Sequence, residues 1–460
     1  MIEVSSGLTA EAVYNLCYQA EICLSKDIYS KILEAYRSVQ DVNIKNRLKY
    51  ILKNAQTAYK EKMPLCQDTG QVMVFLEIGQ NIVITGNFIE AAVNDAVKKC
   101  FEENFFRKSI VNNAVFDRTN TKTNTPCIIY TKYTSGSDIK IKVLIKGAGS
   151  ENQSRLEMLL PSAEEDEIIK KCSELILKAG INACPPMFIG IGAGGTADKA
   201  LLLSKEALIS NDFTEKEKQL ALKIKEAANR NAPGSYKDCY VLDVKLKTES
   251  AHIACLPIGI TINCHSDRYA SASISDGRVI YEHKTPDFID LDIETDNLKE
   301  IKADDIESLK SLKQGEKFLL TGWIYTARDA AHKKLAALIK ENKPLPFDIK
   351  DKIIFYAGPC PAPKGRIIGS IGPTTASRMD KYAEILYEHG VFASLGKGSR
   401  SSALQNYIKE NGKRYFTVQG GIAALLAQKI LKCETAAFEE LGPEAVYKLY
   451  VEKIPLTAEI

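Results

Sequence analysis

From Pro64 onward the chain alternates short apolar runs that end in glycine with longer segments of helical spacing. The runs VMVFLEIG at 72–79 and KIKVLIKGAG at 140–149 have the length and composition of strands that lead into functional loops. Helical spacing is found at 164–178 and 215–229. Strands and helices that alternate in this way predict a mixed α/β fold, of the α/β or α+β type. The sequence contains no internal repeat.

The first sixty residues have a different character. Apolar residues such as Ile28, Ile32 and Tyr36 recur at three- and four-residue spacing, and no glycine follows Gly7 in this segment. This pattern predicts a small helical region at the start of the chain.

The chain has 460 residues, enough for about two to four domains. An acidic, glycine-free stretch, KTPDFIDLDIETDNLKE, separates two regions of different pattern. We therefore expect an N-terminal domain over 1–284, a linker over 285–300 and a C-terminal domain over 301–460. In the C-terminal domain we expect a helix over Arg378–His389 and a helical end that begins near Gly421.

Composition and charge exclude several classes of protein. The formal net charge is only +3, whereas nucleic-acid-binding domains usually carry a basic excess. No run of about 18 apolar residues predicts a membrane span, and the N-terminal MIEVSSGLTAEAVYNL lacks the pattern of a signal peptide. Twelve cysteines are too dilute and uneven for a secreted disulfide scaffold. We expect a cytoplasmic protein with reduced thiols and neither nucleic acid nor membrane as partner.

Three cysteines stand in contexts unlike the others. Cys66 in MPLCQDTGQ, Cys184 in INACPPMFIGIG and Cys264 in TINCHSDR each lie at the edge of a strand or loop. No CxxC pair and no HExxH occur, so zinc and thioredoxin-like sites lose their usual signatures. A site of three thiolates from distant loops remains possible, and three thiolates on a [4Fe–4S] cluster leave one iron open to act as a Lewis acid. Other cysteines lie in helical patterns typical of small buried side chains: Cys17, Cys100 and Cys172.

A glycine-rich run at 188–208, FIGIGAGGTADKALLLSKEAL, has Gly190, Gly192 and Gly195 at GxGxxG spacing. This spacing is typical of a dinucleotide-binding loop and would favour an NAD-dependent oxidoreductase. The upstream strand is short, however, and no acidic residue at the end of a second strand follows. We favour the alternative, in which the glycines permit a tight turn from strand to helix.

Several cationic residues lie beside glycines or hydroxyl side chains and not on charged helix faces. Lys397 in LGKGSRS fails the Walker pattern but can still present its ammonium group to an anion. In GSIGPTTASRMDK, residues 373–375 enter a predicted helix whose amides favour an anion, with Arg378 in its first turns. Together with Arg107 and Arg328, these groups would suit a small dicarboxylate. Each one alone is more typical of a surface or ion-pair residue.

The order and length of the motifs carry a family resemblance. PLCQDTG, KGAGSEN, ACPPMFIGIGAGGTADKA, INCHSDR, TGWIYTARDAAHKKL, YAGPCPAPKGRIIGSIGPTTASRMDKY and LGKGS together resemble the class I, iron–sulfur-dependent fumarate hydratases and the related L-tartrate dehydratases. The resemblance covers nearly the whole chain. It implies that two regions which can be separate α and β subunits are fused here, with a C-terminal domain of the swivelling β/β/α type.

The resemblance implies a hydro-lyase of the tricarboxylic acid cycle that adds water reversibly to fumarate to give L-malate. It implies a [4Fe–4S] cluster held by Cys66, Cys184 and Cys264, an active site between the two regions, and a homodimer. Thr374 is the implied base at C3, and Asp68 and His252 are candidates for moving the proton of water. The residues implied in binding the dicarboxylate substrate are Gln67, Arg107, Gly149, Arg328, Arg378 and Lys397.

Several alternatives remain open at this stage. Tartrate dehydratase, mesaconate hydratase or a hydratase for another substituted fumarate would share the motifs, because their substrates differ from fumarate by only a hydroxyl or methyl group. An NAD-dependent oxidoreductase and a non-catalytic cluster-binding regulator are the alternatives from other classes. A threonine base would also need nearby positive charge, because its hydroxyl is weakly basic. Cys360 lies outside the cluster motifs, and we expect it to be structural.

Overall fold

The computed structural model describes residues 2–237, 239–293 and 297–460. The chain forms two compact units: Met1–Gln56 with Asp68–Ile289, and Thr57–Gln67 with Asp290–Ile460. The second unit thus takes in a short segment from the N-terminal half of the sequence, and this segment carries Cys66. The domain limits at the acidic linker stay a prediction.

The elements of the first unit mix helices and strands along the chain. In chain order they are β1 (Ile2–Ser5), α1 (Ser6–Ile22), α2 (Lys26–Ser38), α3 (Val42–Glu61, whose last turn belongs to the second unit), β2 (Gln71–Gly79), β3 (Ile82–Thr85), α4 (Ile89–Glu103), β4 (Ile128–Thr134), β5 (Ile139–Lys146), α5 (Ala148–Glu151), β6 (Arg155–Leu159), α6 (Glu165–Ala179), β7 (Met187–Gly195), α7 (Ala197–Leu208), α8 (Glu215–Arg230), β8 (Val241–Ala251), β9 (Leu256–Asn263), β10 (Arg268–Ser275) and β11 (Arg278–Tyr281).

Most predicted elements of this unit are confirmed. The helical start comprises α1 to α3, preceded by β1, which was not predicted. The runs at 72–79 and 140–149 form β2 and β5, although the second strand ends at Lys146 and its last residues begin α5. The helices predicted at 164–178 and 215–229 are α6 and α8.

One sheet of the first unit brings two site loops together. Its strand order is β11–β10–β5–β2–β4, and β2 pairs antiparallel with β5 in a register that places Gln71 opposite Lys146. The loop before β2 and the loop after β5 therefore lie at the same edge. The sheet shares a hydrophobic core with α1 and α4, and burial of each such side chain contributes about 1.5–3 kcal/mol. Members of this core include Val13, Leu16, Val93, Val97, Val74 and Val143.

A second sheet explains the glycine-rich run. Its order is β6–β9–β7–β8, and α7 packs against β7. A Cβ atom on Gly190 would lie 2.0 Å from the Ser204 carbonyl oxygen, and one on Gly192 would lie 2.3 Å from the Ala200 oxygen. These glycines therefore let the helix backbone approach the strand. The close packing accounts for the GxGxxG spacing without a dinucleotide.

The second unit is built around one mixed sheet. Its elements are β12 (Lys299–Lys302), α9 (Ile306–Ser311), β13 (Lys317–Thr326), α10 (Asp329–Lys340), β14 (Ile353–Phe355), α11 (Asp380–Glu388), β15 (Ala393–Gly396), α12 (Ser402–Glu410), β16 (Arg414–Thr417), α13 (Ala423–Ala427), β17 (Ile430–Ala437) and β18 (Val446–Ala458). The order is β12–β13–β14–β15–β16–β18–β17, and a further pairing of β13 with β18 closes β13, β14, β15, β16 and β18 into a ring. The mixed α/β fold class with two regions is confirmed.

Two local predictions for this unit are wrong. The helical end predicted near Gly421 is only the short α13, and the chain then returns as β17 and β18, because β18 pairs with the distant β13. The helix predicted over Arg378–His389 is confirmed as α11, but it begins at Asp380 after a 3-10 turn at Ala376–Met379, so the helix start predicted at 373–375 is wrong. Residues 374 and 375 therefore precede this turn and do not form the start of an α-helix. No helix in the described part of the chain combines the length and apolarity that a bilayer crossing requires.

Candidate active site

Asp68 is held by backbone amides and an arginine at the edge of the first sheet. Its carboxylate accepts hydrogen bonds from the amides of Ala148 (2.9 Å) and Gly70 (3.2 Å). A terminal nitrogen of Arg107 lies 3.2 Å from Oδ1. A Cβ atom on Gly147 would lie 3.0 Å from Asp68 Oδ2, so the loop after β5 passes directly against the carboxylate.

These contacts keep Asp68 ionised. Burial opposes its ionisation, but Arg107, Arg268 and the two amides outweigh that effect and hold the pKa of Asp68 below its ordinary value. Asp68 is therefore a carboxylate at neutral pH.

Hydrogen bonds between two loops hold Arg107 in this position. The Thr69 hydroxyl donates to the Arg107 carbonyl at 2.6 Å. The buried Asn124 side chain accepts from the Ser109 amide at 2.8 Å and donates to the Gly70 carbonyl at 3.2 Å. Arg107 itself is buried. These hydrogen bonds join the loop that carries Arg107 to the turn at residues 68–70.

Gly149 lies in the short helix α5, directly after the residue whose amide binds Asp68. Two lysines hold this helix through Glu151: Nζ of Lys146 lies 2.9 Å from one carboxylate oxygen and Nζ of Lys205 lies 2.6 Å from the other. Burial lowers the pKa of Lys146 to about 8, although Glu151 favours its charged form. The three side chains line a cavity of about 230 Å³.

Behind Asp68 lies a buried ion pair that the sequence reasoning missed. Glu21 in α1 and Arg268 at the start of β10 are 2.8 Å apart and almost fully buried. Burial raises the pKa of Glu21 to about 7, against the opposing effect of Arg268. Arg268 is the last residue of the motif INCHSDR, and this position in a motif is the one sequence feature that could have indicated its role. Glu21 lies in no such motif.

Two of the predicted cluster cysteines are neighbours in the first unit. Burial raises the pKa of the Cys264 thiol, and the nearby Cys184 raises it further. The Cys264 sulfur lies 3.1 Å from the Ser266 hydroxyl, and the Cys184 carbonyl oxygen lies 3.3 Å from the His265 ring. Both residues are partly exposed. Cys184 has φ of +59°, a conformation that costs a side-chain-bearing residue about 1–3 kcal/mol and is concentrated at functional sites.

Cys66 and Gln67 belong to the second unit. The Gln67 carbonyl accepts from the Cys360 sulfur at 3.6 Å, and the Pro64 carbonyl accepts from the Ser370 hydroxyl at 2.6 Å. Cys360 is buried against the segment that carries Cys66, as a structural residue would be. Within the described residues, no three His, Cys, Asp or Glu side chains are grouped for a single metal ion.

Gln67, Thr374 and Lys397 lie on adjoining segments of the second unit. A Cβ atom on Gly372 would be 2.4 Å from Gln67 Oε1, so the Gln67 side chain lies against the backbone just before Thr374. The Lys397 amide donates to the Thr374 carbonyl at 3.2 Å, and the Ala376 amide donates to the Lys397 carbonyl at 2.9 Å. Thr374 is 9% exposed. The hydroxyl and the lysine therefore come from paired strand-like segments.

The two remaining arginines are each paired with a carboxylate. A terminal nitrogen of Arg328 lies 3.3 Å from Glu444, and one of Arg378 lies 2.6 Å from Asp329. The Arg328 side chain is largely buried, whereas about half of the Arg378 side chain is exposed. Both guanidinium groups are thus fixed by partners that a substrate carboxylate could join or replace.

His252 lies in the first unit, directly after β8. It is part of the loop that leads to β9, where its side chain is exposed and its Nδ1 accepts from the Ala254 amide at 3.1 Å. Among the described residues, the structure shows no hydrogen bond or ion pair between His252 and another predicted site residue. Its role stays a prediction.

Comparison with known proteins identifies the family of the chain. Residues 10–273 match the family model "Fumarate hydratase (Fumerase)", and residues 277–460 match "Fumarase C-terminus". The chain is 33% identical over 439 residues to "Fumarate hydratase class I, anaerobic" of Escherichia coli, covering 88% of this chain and 79% of the relative. It is 31% identical to "Fumarate hydratase 1, mitochondrial" of Leishmania major over the same shares.

A shorter relative matches the first region. It is the "Putative L(+)-tartrate dehydratase subunit alpha" of Methanocaldococcus jannaschii, 37% identical over 274 residues, which are 57% of this chain and 95% of that protein. Both family regions are nevertheless present here, in order and in one chain. The chain belongs to the class I fumarate hydratase family.

Proposed function

We propose that this protein is a fumarate hydratase, a hydro-lyase that interconverts fumarate and L-malate. One observation carries the proposal: the chain matches class I fumarate hydratases along 88% of its length, through both family regions. The site geometry supports it, because cationic and hydrogen-bonding groups suited to a dicarboxylate are held in the loops that carry the family motifs.

We propose that Cys66, Cys184 and Cys264 hold a [4Fe–4S] cluster. Thiolates are the usual ligands of such clusters. The proximity of Cys184 to Cys264, their partial exposure and the left-handed backbone at Cys184 all fit a bound group. When bound, the cluster supplies Lewis acidity at the iron that lacks a cysteine ligand.

The cationic side chains of the site are proposed to bind the two substrate carboxylates. Removal of the C3 proton of malate moves negative charge onto the C4 carboxylate, and fixed cations stabilise that charge more strongly than they stabilise the bound ground state. The pairs Arg328–Glu444 and Arg378–Asp329 support this role, because each guanidinium already binds a carboxylate, the group that the substrate carries at both ends. The proposed carboxylate-binding residues are Gln67, Arg107, Gly149, Arg328, Arg378 and Lys397.

Thr374 is proposed to exchange the C3 proton. Its hydroxyl is a weak base unless positive charge lies nearby, and the backbone pairing with Lys397 supports such a neighbour. Asp68 is proposed to take a proton from the water that adds at C2 and to return it in the reverse reaction, which its ionised state supports. His252 is the alternative for this step, because an imidazole is a common general acid or base.

L-Tartrate dehydration is the second candidate activity. The specific observation in its favour is the 37% identity to a putative tartrate dehydratase subunit over 274 residues. L-Tartrate is a dicarboxylate that carries one more hydroxyl than malate, so the same cations would bind it. The homodimer and the cytoplasmic location stay predictions.

A substrate comparison tests the proposal. The protein, purified without oxygen, is assayed with fumarate, L-malate, L-tartrate and mesaconate. We expect the highest kcat/KM with fumarate and L-malate. A higher value with L-tartrate or mesaconate would replace the proposed substrate, and NAD-dependent oxidation of L-malate with no hydration would overturn the reaction class.

A further inference from the structure

We propose that Arg400 is a positioning residue for the base and the lysine of the site: its buried guanidinium fixes the two backbone segments that carry Thr374 and Lys397. The inference rests on the proposed function for the roles of those two residues. It rests on the second unit alone for its geometry.

Arg400 is a buried cation enclosed by two rings and an ion pair. Only 4% of the residue is exposed. Its Nε lies 2.8 Å from Asp380 Oδ1, and Nη1 donates to the Ser394 hydroxyl at 3.3 Å. The guanidinium carbon lies 5.0 Å from the ring centre of Tyr356 and 5.2 Å from that of Tyr415. Arginine suits this place because its planar cation can lie against aromatic rings while it keeps its charge beside a carboxylate.

Each of the two tyrosines beside Arg400 also bonds to one of the site segments, Tyr356 through its backbone and Tyr415 through its hydroxyl. The Tyr356 carbonyl accepts from the Thr374 amide at 2.6 Å. The Tyr415 hydroxyl donates to the carbonyl of Gly398 at 2.6 Å, directly after Lys397. One buried group therefore joins the two residues that the mechanism needs side by side.

The ion-pair partner extends the same arrangement. Asp380 accepts from the Ser401 amide at 2.7 Å through its second oxygen, and it lies two residues after Arg378. Asp380 thus contacts Arg400 and Ser401 of the loop 398–401, which belongs to no helix or strand.

The packing leaves little freedom for the segments to shift. A Cβ atom on Gly396 would lie 3.1 Å from the Tyr356 ring and 3.1 Å from the Ala376 methyl group. Tyr356 is therefore in close contact with both segments and with the guanidinium. Arg400 acts through these neighbours, because its own side chain is buried away from solvent and paired with Asp380.

Tyr415→Phe is the sharpest test, because it keeps the ring over Arg400 and removes only the hydroxyl bond to Gly398. Arg400→Lys keeps the charge and loses the planar stacking. Tyr407→Phe, in the same unit and outside this set of contacts, is the matched control. Each variant is purified without oxygen, and its iron content, melting temperature and kinetics with L-malate are compared with those of the wild type.

We expect kcat for L-malate to fall by roughly tenfold or more in Tyr415→Phe and further in Arg400→Lys, because small misplacements of reacting groups slow the chemical step strongly. We expect iron content to be unchanged, and the primary isotope effect with C3-deuterated malate to rise as proton removal becomes slower. A Tyr415→Phe protein whose kcat and isotope effect stay within about twofold of wild type would overturn the inference. So would a loss of kcat that merely follows a loss of iron.

Hydrogen exchange separates this inference from the proposed function. In Tyr415→Phe, the Lys397 amide should exchange faster than in wild type, while Tyr407→Phe leaves it unchanged. If the wild type acts on L-tartrate and not on malate, the kinetic comparison is made with L-tartrate. If the wild type hydrates none of the substrates, the proposed function fails, and unchanged exchange at Lys397 would then overturn the positioning role while faster exchange would support it.

Discussion

The two units hold their site groups by different physical means. In the first unit, charge is fixed by other buried charge: Asp68 by Arg107, and Arg268 behind it by Glu21. In the second unit, residues packed around the buried pair Arg400–Asp380 bond to the site segments: the Tyr356 carbonyl accepts from the Thr374 amide, and the Tyr415 hydroxyl donates to the carbonyl next to Lys397. We therefore expect the first unit to be sensitive to pH and to the loss of a charged group. We expect the second unit to be sensitive to small changes in side-chain packing.

The largest expected effect concerns the cysteines of the first unit. Cys264→Ser should abolish both the brown colour and the turnover of the anaerobically purified protein, because a cluster ligand is lost. Cys172→Ser is the control, since Cys172 is a buried side chain of α6 in the hydrophobic core. Absorbance, iron content and fumarate hydration are measured together. Retention of cluster and turnover in Cys264→Ser would exclude Cys264 as a ligand.

A smaller effect should come from Glu21, and it tests the response of the first unit to pH. The pKa of Glu21 is raised to about 7 in the folded protein, so the folded state binds more protons than the unfolded state between about pH 4.5 and 7. The contribution of Glu21 to stability is therefore greatest below this window and is lost as pH rises through it, by about 3 kcal/mol at most.

Glu21→Gln removes this titration. Melting temperatures of wild type and variant are measured without oxygen at pH 5 and pH 8. We expect the variant to gain in melting temperature relative to the wild type as pH rises. A difference that is the same at both pH values would contradict the raised pKa, and Glu34→Gln, at an exposed position of α2, is the control.

The smallest effect should come from Asp329, which tests whether the ion pairs of the second unit can exchange partners. Asp329→Asn removes the carboxylate that pairs with the half-exposed Arg378. An exposed pair of this kind contributes about 0–1 kcal/mol, so the melting temperature should barely change. We expect KM for fumarate to fall about two- to threefold (~0.4–0.7 kcal/mol), because the arginine no longer has a competing partner. A rise in KM would show instead that Asp329 orients Arg378.

Sequence patterns predicted the helices and strands whose conformation depends mainly on residues close to one another in the chain. The strands β2 and β5 and the helices α6 and α8 follow from apolar runs and helical spacing. The strand β18 could not be predicted in the same way, because its pairing partner β13 lies more than a hundred residues upstream and only tertiary contact fixes the conformation. For the same reason the start of α11 was misplaced: the pairing of residue 375 with Lys397 holds that segment extended.

The site divides in a similar way. Motifs predicted which residues lie in functional loops, but not what holds them. The pairing of Asp68 with Arg107 joins loops 39 positions apart, and the contact between Glu21 and Arg268 spans nearly the whole first unit in sequence. The motif LGKGSRS contains Arg400 but predicted a role for Lys397 alone. The partners of Arg400, Tyr356 and Tyr415, lie on separate strands or beside them, so the motif could not indicate their contact with it.

The segment Thr57–Gln67 has a consequence for how this polypeptide can be divided. The chain passes between the units after Gln56, after Gln67 and after Ile289, so one cut in the acidic linker separates two pieces of sequence but not two folding units. A piece that begins at Asp290 lacks the residues that pair with Arg366 and accept from Ser370 and Cys360. Such a fragment should recover its fold only when a peptide with those eleven missing residues is added in trans.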